Sequence, residues 1–453
     1  MAEHVCVFNW RYGSQELRGL FTVANIVRTY VNVEVALLKG LVLAGLAPAR
    51  CYEEVRVCAE KLKPMEMYEM ELITGHDIAS LAFILGERCG ECGKFIHLGA
   101  TSYDIVDTAW ALILREALRI IKDKIKRVID TLMELAEKHV DDYVIGRTHG
   151  QHALPITFGF KFANYAYELS RSYERLIELE NRLVKLKMSG SVGTMASWGE
   201  KGILVEGMVG KELCLEPHPI TTQVAPRDSF AELAVDLAIL GSQLDRLALE
   251  ARELSRTEIG EIYEAVQRIG SSAMPHKRNP VIAERVSSLA KILRGLSLSS
   301  LENIPLMHER DLTNSASERV IIPHIILTID QMLEDTIKLL KTIKLDTNAS
   351  RRNLELTRGG IYSEIIVSEL VKKGWHRNVA YEKVRSLVPP VSSEETLFGA
   401  IMKDPELSHY FSEEELKAIM TPEYVTKNVR KIVERALDFA KKAISKEPGN
   451  KCT

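Results

Sequence analysis

Residues 229–266 read SFAELAVDLAILGSQLDRLALEARELSRTEIGEIYEAV, and their pattern predicts one long helix. Apolar residues recur along it at alternating spacings of four and three, at Leu233, Leu237, Leu240, Leu244, Leu247, Ala251 and Leu254. This repeat is an unbroken a/d seam, by which long helices pack against one another. A second seam runs through 104–140, and a third long helix is predicted over 155–187. The sequence therefore predicts an all-α fold built on a bundle of long helices.

The chain has 453 residues, enough for two or three domains. We expect an N-terminal helical domain (1–98), a central long-helix bundle (99–344) and a C-terminal helical domain (345–453). A net charge of −3 gives no basic field for nucleic acid. Apolar runs fall short of the ~20 residues that a membrane helix needs, and no signal peptide is expected. We therefore predict a cytoplasmic location.

Ser271–Pro280, SSAMPHKRNP, follows the first seam and cannot continue a helix because two prolines interrupt it. Its hydroxyls, cations and amide suit an anionic ligand, or negative charge that develops during a reaction. The segment resembles the signature loop of the fumarase/aspartase superfamily, whose members eliminate fumarate from substituted succinates. The variant here is most similar to that of the adenylosuccinate lyase family, through Ala273, His276, Lys277, Arg278 and Pro280. A match over ten residues is far more specific than a single spaced glycine motif.

Other segments resemble the same family, from Arg11-Tyr12 near the N-terminus to Arg319. The positions that the resemblance assigns to substrate binding are Arg11, Tyr12, His76, Asp77, Thr101, Ser102, Gln223, Ser272, Lys277, Asn279, Arg285, Arg310, Ser315 and Arg319. One position departs from the pattern, because Gly75 stands where the family commonly has a cation. A purely structural reading also exists for two of the segments. Asp77 and the stretch around Thr101 can both serve as helix starts.

The chemistry implied by the resemblance is β-elimination, for which no redox cofactor or metal is required. Ser271 is the candidate base. His149, in a segment over 146–157 that we predict to be a second polar loop, is the candidate acid because an imidazole titrates near neutral pH. His76 is a rival for supporting or replacing it. Lys277 and Asn279 would stabilise the charge that builds on the substrate carboxylate. The implied substrates are succinylated purine nucleotides, adenylosuccinate and the succinylated aminoimidazole carboxamide ribotide (SAICAR).

Helix length bears on how these segments can meet. The predicted helix over 104–140 would be on the order of 50 Å long, and it separates the Thr101-Ser102 segment from His149. The two could contact one small ligand only if they came from different chains. The resemblance implies the same arrangement: a homotetramer whose central helices form one bundle and whose active sites are shared between subunits.

Seven cysteines are many for a cytoplasmic protein, and glutamine is scarce, with only six in the chain. Depletion of thermolabile amides is a tendency of thermophiles, and hyperthermophiles retain disulfides inside the cell. We therefore hypothesise a thermophilic source and one or more structural disulfides. Two other readings remain: buried free thiols, and a zinc site at the single C-x-x-C of Cys89 and Cys92.

Two alternative functions stay open. A 3-carboxy-cis,cis-muconate cycloisomerase of the same superfamily can carry a very similar loop but has no phosphate to bind. The Arg11-Tyr12 pair and the Ser315/Arg319 spacing count against it. A non-catalytic helical scaffold would have no need of Ser271 or His149.

Overall fold

A computed structural model describes residues 5–266 and 274–446 of the chain. Its α-helices are α1 (Gln15–Leu20), α2 (Val23–Leu43), α3 (Arg50–Ala59), α4 (Pro64–Thr74), α5 (Asp77–Arg88), α6 (Gly90–Gly93), α7 (Ser102–Lys138), α8 (Phe158–Leu183), α9 (Gly202–Leu213), α10 (Asp228–Leu254), α11 (Val281–Leu301), α12 (Thr313–Thr342), α13 (Thr347–Glu355), α14 (Ser363–Lys372), α15 (Arg377–Leu387), α16 (Leu397–Lys403), α17 (Glu413–Ile419), α18 (Pro422–Val425) and α19 (Val429–Ile444). Short 3₁₀ helices cover Val7–Asn9, Ala196–Lys201, Gly360–Tyr362 and Leu407–His409. The strands are β1 (Tyr143–Thr148), β2 (Gln151–Thr157), β3 (Lys185–Leu186), β4 (Glu216–Pro217), β5 (Ile262–Glu264) and β6 (Ile343–Leu345).

Five long helices, α7, α8, α10, α11 and α12, pack together as the central bundle. The predicted seams lie at its centre: Ile125 and Leu132 of α7 and Leu237 and Leu244 of α10 are fully buried. This confirms the all-α, long-helix fold. Among the described helices, none has the length and apolarity needed to cross a membrane.

Helix α10 is shorter than the prediction. It ends at Leu254, twelve residues before the predicted end, so the prediction that it runs to 266 is wrong. The apolar seam stops there, and Gly260 takes a left-handed backbone with φ of 63°. The chain then enters β5, which pairs with β6 instead of continuing the helix.

The segment predicted as a polar loop over 146–157 is a β-hairpin, so that prediction is also wrong. Strands β1 and β2 pair antiparallel. The turn between them consists of His149 and Gly150, both with positive φ (55° and 74°), as a tight two-residue hairpin turn requires. Helix α8 starts at Phe158 instead of Pro155, because the Thr157 side chain caps it by accepting from the N–H of Phe160.

The main hydrophobic core runs from the N-terminal helices through the bundle and includes Val433, Leu437 and Ala440 of α19. A second core gathers residues between Ile366 and Ile419, in the C-terminal helices. The boundaries drawn near 98 and 344 stay a prediction.

Four cysteines join α3 to the end of α5 and to α6. Cys51 is paired with Cys92, and Cys58 with Cys89. The two members of the C-x-x-C therefore have different cysteine partners, both on α3, in place of a shared metal. Among the described residues, Cys6 is the free cysteine.

Candidate active site

A small cavity of about 160 Å³ lies where the N-termini of α5, α7 and α12 meet. Many of the residues predicted from the sequence lie on its walls: His76, Asp77, Ser102, Arg310, Ser315 and Arg319. They come from segments more than two hundred residues apart in the chain, and packing of the helix starts brings them together. Their mixture of cations, hydroxyls and an imidazole suits an anionic ligand.

His76 connects the starts of two helices. It is the N-cap of α5, and its Nδ1 lies 3.5 Å from the backbone N–H of Ala79. Its Nε2 lies 3.2 Å from the hydroxyl of Ser102, the first residue of α7. Nδ1 also lies 3.2 Å from Oδ1 of Asp77, so this side of the ring contacts both a backbone N–H and a carboxylate. The imidazole therefore fixes the position of a hydroxyl inside the cavity.

Asp77 and Arg319 form the charged pair of the cavity, with Nη2 and Oδ2 2.7 Å apart. Burial alone would lower the pKa of Arg319, but the Asp77 carboxylate raises it and keeps the guanidinium charged. Gly75, where the family commonly has a cation, caps the end of α4 with φ of 70°. A left-handed backbone favours glycine, which accounts for the departure in this chain.

Arg310 stacks on Tyr103, with its guanidinium carbon 3.8 Å from the ring centroid. Its Nη1 donates to the side-chain oxygen of Gln223 at 3.1 Å. Its Nη2 is buried and has no hydrogen-bond partner among the described residues. Burial raises the pKa of Tyr103, while a hydrogen bond with Ser315 and the charge of Arg310 oppose that rise. Arg310 therefore lines the cavity and has one buried guanidinium nitrogen with no partner among the described residues.

A buried ion pair holds the start of α7, which contributes Ser102 and Tyr103 to the cavity. The side chains of Asp104 and Lys187 are both fully buried, with Nζ and Oδ1 2.6 Å apart. Asp104 also accepts from the backbone N–H of Thr101 at 2.7 Å, which caps α7. It accepts from the backbone N–H groups of Ser189 and Gly190 as well. One carboxylate therefore holds the start of α7 against the link after α8.

A second buried group lies beside it and was not predicted from the sequence. Arg227 donates to Asp107 at 2.5 Å and to both oxygens of Glu318 at 3.1 and 3.2 Å. Glu318 faces the cavity, and burial raises its pKa. Neither Arg227 nor Lys187 stands in a recognisable motif, so no sequence signal pointed to them.

Arg285 and Tyr12 lie in a different region. Arg285 on α11 pairs with Asp335 of α12 through Nε and Oδ2 at 2.6 Å, and Tyr12 is close enough to raise the pKa of Arg285 further. The neighbouring Arg11 guanidinium lies over the Tyr12 ring at 5.7 Å. Asp335 follows Arg319 by sixteen positions on one helix, so this group is about 24 Å from the cavity along α12.

Of the predicted signature loop, Ser271 and Ser272 lie outside the described residues. Lys277 is exposed, and its backbone N–H donates to the carbonyl of Met274 at 3.1 Å. Asn279 precedes α11 by two positions, and the Arg278 guanidinium lies 5.3 Å from the ring of Tyr263 on β5.

His149 is not brought to the cavity. Helix α7 has 37 residues, which is roughly 55 Å of continuous helix between Ser102 and the hairpin that follows. His149 is exposed at the tip of that hairpin. Within the part of the chain that the structure describes, the predicted residues therefore lie in four places: the cavity, the Tyr12/Arg285 region, the hairpin tip, and the segment before α11 that holds Lys277 and Asn279.

Solved structures share this architecture. A fumarate lyase from Mesorhizobium sp. BNC1 superposes with a TM-score of 0.87 at 28% identity, covering 96% of this chain and 99% of that one. A 3-carboxy-cis,cis-muconate lactonizing enzyme from Pseudomonas putida gives a TM-score of 0.88 at 28% identity, covering 97% of this chain and 100% of that one. A family model described as lyase matches residues 11–295. The long-helix bundle and its polar helix ends are thus those of the fumarate lyase class.

The C-terminal part of the chain indicates which family within this class the chain belongs to. A model described as adenylosuccinate lyase C-terminus matches residues 359–436. The adenylosuccinate lyase of Methanothermobacter thermautotrophicus is 41% identical over 449 residues, which covers 98% of this chain and 100% of that protein. The enzyme of the same name from Pyrococcus abyssi is 42% identical over 439 residues, covering 95% and 97%. The chain belongs to the adenylosuccinate lyase family.

Proposed function

We propose that this chain eliminates fumarate from adenylosuccinate to give AMP, and from SAICAR to give the aminoimidazole carboxamide ribotide (AICAR), in purine nucleotide biosynthesis. The observation that carries the proposal is that Arg310, whose buried Nη2 has no partner among the described residues, lines one small cavity with Arg319 and Ser315. A buried guanidinium donor calls for an anionic acceptor, and each proposed substrate offers carboxylates and a phosphate. Family membership supports the choice between the possible anions.

In the proposed reaction, Ser271 removes the proton next to a substrate carboxylate, and the charge develops on that carboxylate. Lys277 and Asn279 lie in the same signature loop and stabilise that charge. His149 protonates the departing nitrogen, after which fumarate leaves. Each of these roles rests on position within the family motifs.

Nucleotide recognition is proposed for the cationic positions. Arg310, Ser315 and Arg319 hold one end of the substrate, together with Gln223, His76, Asp77, Thr101 and Ser102. Ser272 is assigned a substrate contact only by its position in the family motif. Arg11, Tyr12 and Arg285 form a second, separate cationic region. Two cationic regions exceed what a dicarboxylate alone requires, whereas a succinylated nucleotide carries charge at both ends.

A complete active site is proposed to need several chains, in a homotetramer. The roughly 55 Å of α7 keeps His149 away from the cavity within one chain. Large apolar side chains are also exposed along α11 and the segment that follows it: Ile292, Leu298, Leu301, Ile304 and Met307. An exposed apolar surface of this kind favours self-association, and long bundle helices can pair with those of another copy.

A thermophilic source, a cytoplasmic location and one or more structural disulfides complete the proposal. The cysteine pairs at Cys51/Cys92 and Cys58/Cys89 support the disulfides, and relatives from Pyrococcus abyssi and Methanothermobacter thermautotrophicus fit the thermophilic source. Thiol titration of the unfolded chain with and without reductant tests the disulfides. Seven free thiols without reductant would refute them.

The test of function is incubation with adenylosuccinate, with detection of AMP and fumarate, beside a parallel assay with 3-carboxy-cis,cis-muconate. The second assay matters because the lactonizing enzyme from Pseudomonas putida has a similar fold. Turnover of the muconate alone would favour the cycloisomerase. No turnover of the three substrates, SAICAR included, would favour a scaffold. Ser271→Ala should cost several orders of magnitude in kcat with binding retained, and a variant within about tenfold of wild type would exclude Ser271 as base.

A further inference from the structure

The hairpin that carries His149 is attached to the bundle by a carboxylate to which the family resemblance assigns no role. Glu261 is fully buried. Its oxygens accept from the Arg147 guanidinium in a bidentate pair, at 2.8 and 2.7 Å. Arg147 lies on β1, two positions before His149. A third donor, the side-chain amide of Asn353 on α13, reaches the same carboxylate at 2.8 Å.

The backbone around Glu261 is fixed on both sides. Its N–H donates to the carbonyl of Leu254 at the end of α10, at 2.9 Å. Its carbonyl accepts from the N–H of Asp346, just before α13, at 2.8 Å. Asn353 donates in addition to the carbonyl of Ile259 at 3.0 Å. The carboxylate therefore projects from a rigid junction between the bundle and α13.

The hairpin itself needs such an attachment near its tip. An isolated two-stranded hairpin is marginally stable in water. Its base is held by apolar packing, since Ile145 is fully buried against Ile361 and Tyr362. Beyond Ile145 the residues of β1 become progressively exposed towards His149. Arg147 is the residue between the packed base and the exposed tip, and its planar guanidinium fixes direction as well as distance.

We infer that Glu261, with Asn353, is a positioning residue for His149 and acts through Arg147. The inference rests on the proposed role of His149 as the acid of the elimination. Loss of the carboxylate would let the hairpin tip shift, and a displacement of about 1 Å at a reacting group can cost about 100-fold in rate. Substrate binding, which depends on other segments, would change little.

An ion pair that only stabilises the fold would also be buried. A loss of stability therefore does not distinguish a positioning role of Glu261 from a purely structural one. The matched control is the Lys122–Glu180 pair between α7 and α8, whose side chains are similarly buried, at 6% and 15% exposed against 14% and 0% for Arg147 and Glu261. Glu180→Gln should lower thermal stability and leave kcat unchanged.

The experiment is a double-mutant cycle in the full-length chain, with Glu261→Gln, His149→Gln and their combination. Glu261→Gln should lower kcat about 100-fold with KM within about threefold of wild type, and it should add nothing in the His149→Gln background. Arg147→Lys keeps the charge but not the bidentate geometry, so it should lower kcat by an intermediate factor. If Glu261→Gln does not fold, Arg147→Lys alone carries the test.

Normal kcat in a folded Glu261→Gln or, failing that, in Arg147→Lys would overturn the inference. The inference would also be overturned if Glu261→Gln lowered kcat by the same factor in the wild-type and His149→Gln backgrounds, because Glu261 would then act independently of the imidazole. A His149→Gln variant with near wild-type turnover would remove the proposed acid and the inference together. A His149→Gln variant with strongly reduced but measurable turnover, in which Glu261→Gln still has its full effect, would remove the inference alone.

Discussion

Removal of the buried cation beneath the cavity, by Lys187→Met, should destabilise the chain and weaken the start of α7. Both side chains of the Lys187–Asp104 pair are fully buried, at 2.6 Å. Removing one partner of a buried pair costs about 3–5 kcal/mol, because the other charge is left uncompensated. Asp104 keeps backbone N–H donors from Thr101, Ser189 and Gly190, so the cost should fall at the low end, about 3 kcal/mol.

The assay is urea unfolding followed by circular dichroism at one fixed protein concentration, since subunit association would make apparent stability depend on concentration. Adding Asp104→Asn should not recover the loss, because both oxygens of Asp104 accept from backbone N–H groups and an amide NH2 at either position would face a donor. A loss below about 1 kcal/mol in Lys187→Met would refute the reasoning.

Two further predictions concern neighbouring groups. Burial, followed by the charge of Asp104, raises the pKa of Glu206 from 4.5 to about 7. Because the pKa is raised in the folded state, the folded chain keeps the Glu206 proton between pH 4.5 and about 7, whereas the unfolded chain releases it. The stability of the wild type therefore falls as the pH rises through that window, and Glu206→Gln should gain stability over wild type there. Unfolding measured against pH tests this, and parallel curves for the two proteins would contradict it. Arg319→Met should raise KM for adenylosuccinate about tenfold or more with kcat less affected, because a charged hydrogen bond is lost. Steady-state kinetics checks it, and an unchanged KM would exclude Arg319 from the site.

The sequence was most informative where one kind of pattern repeated. The apolar repeat at Ile125, Val128 and Leu132 predicted α7 almost to its ends, because the burial of one helix face leaves a periodic record. We predicted that α10 continues to residue 266, although its apolar repeat ends at Leu254. The hairpin was missed because each strand is short, and the turn residues His149 and Gly150 were interpreted for chemistry instead of for their left-handed backbone.

Contacts between distant segments could not be read from the sequence. The grouping of His76, Ser102 and Arg319 came from family motifs, since no local pattern states which helix starts will meet. Lys187 and Glu261 left no signal at all, because a buried ion pair is recognisable only once both partners have been placed in space. Charged residues next to helix ends are usually solvated, and these two are not.

The assembly of one site from several chains is tested most directly by complementation between two impaired variants. His149→Gln and Arg319→Met are co-expressed with different tags, hybrids are purified through both tags, and turnover is assayed at low adenylosuccinate. Hybrid oligomers should be clearly more active than the sum of the two parents, because a site can then take its hairpin from one chain and its cavity from another. Hybrids no more active than that sum would show that each chain forms its own site, and would contradict the shared active site.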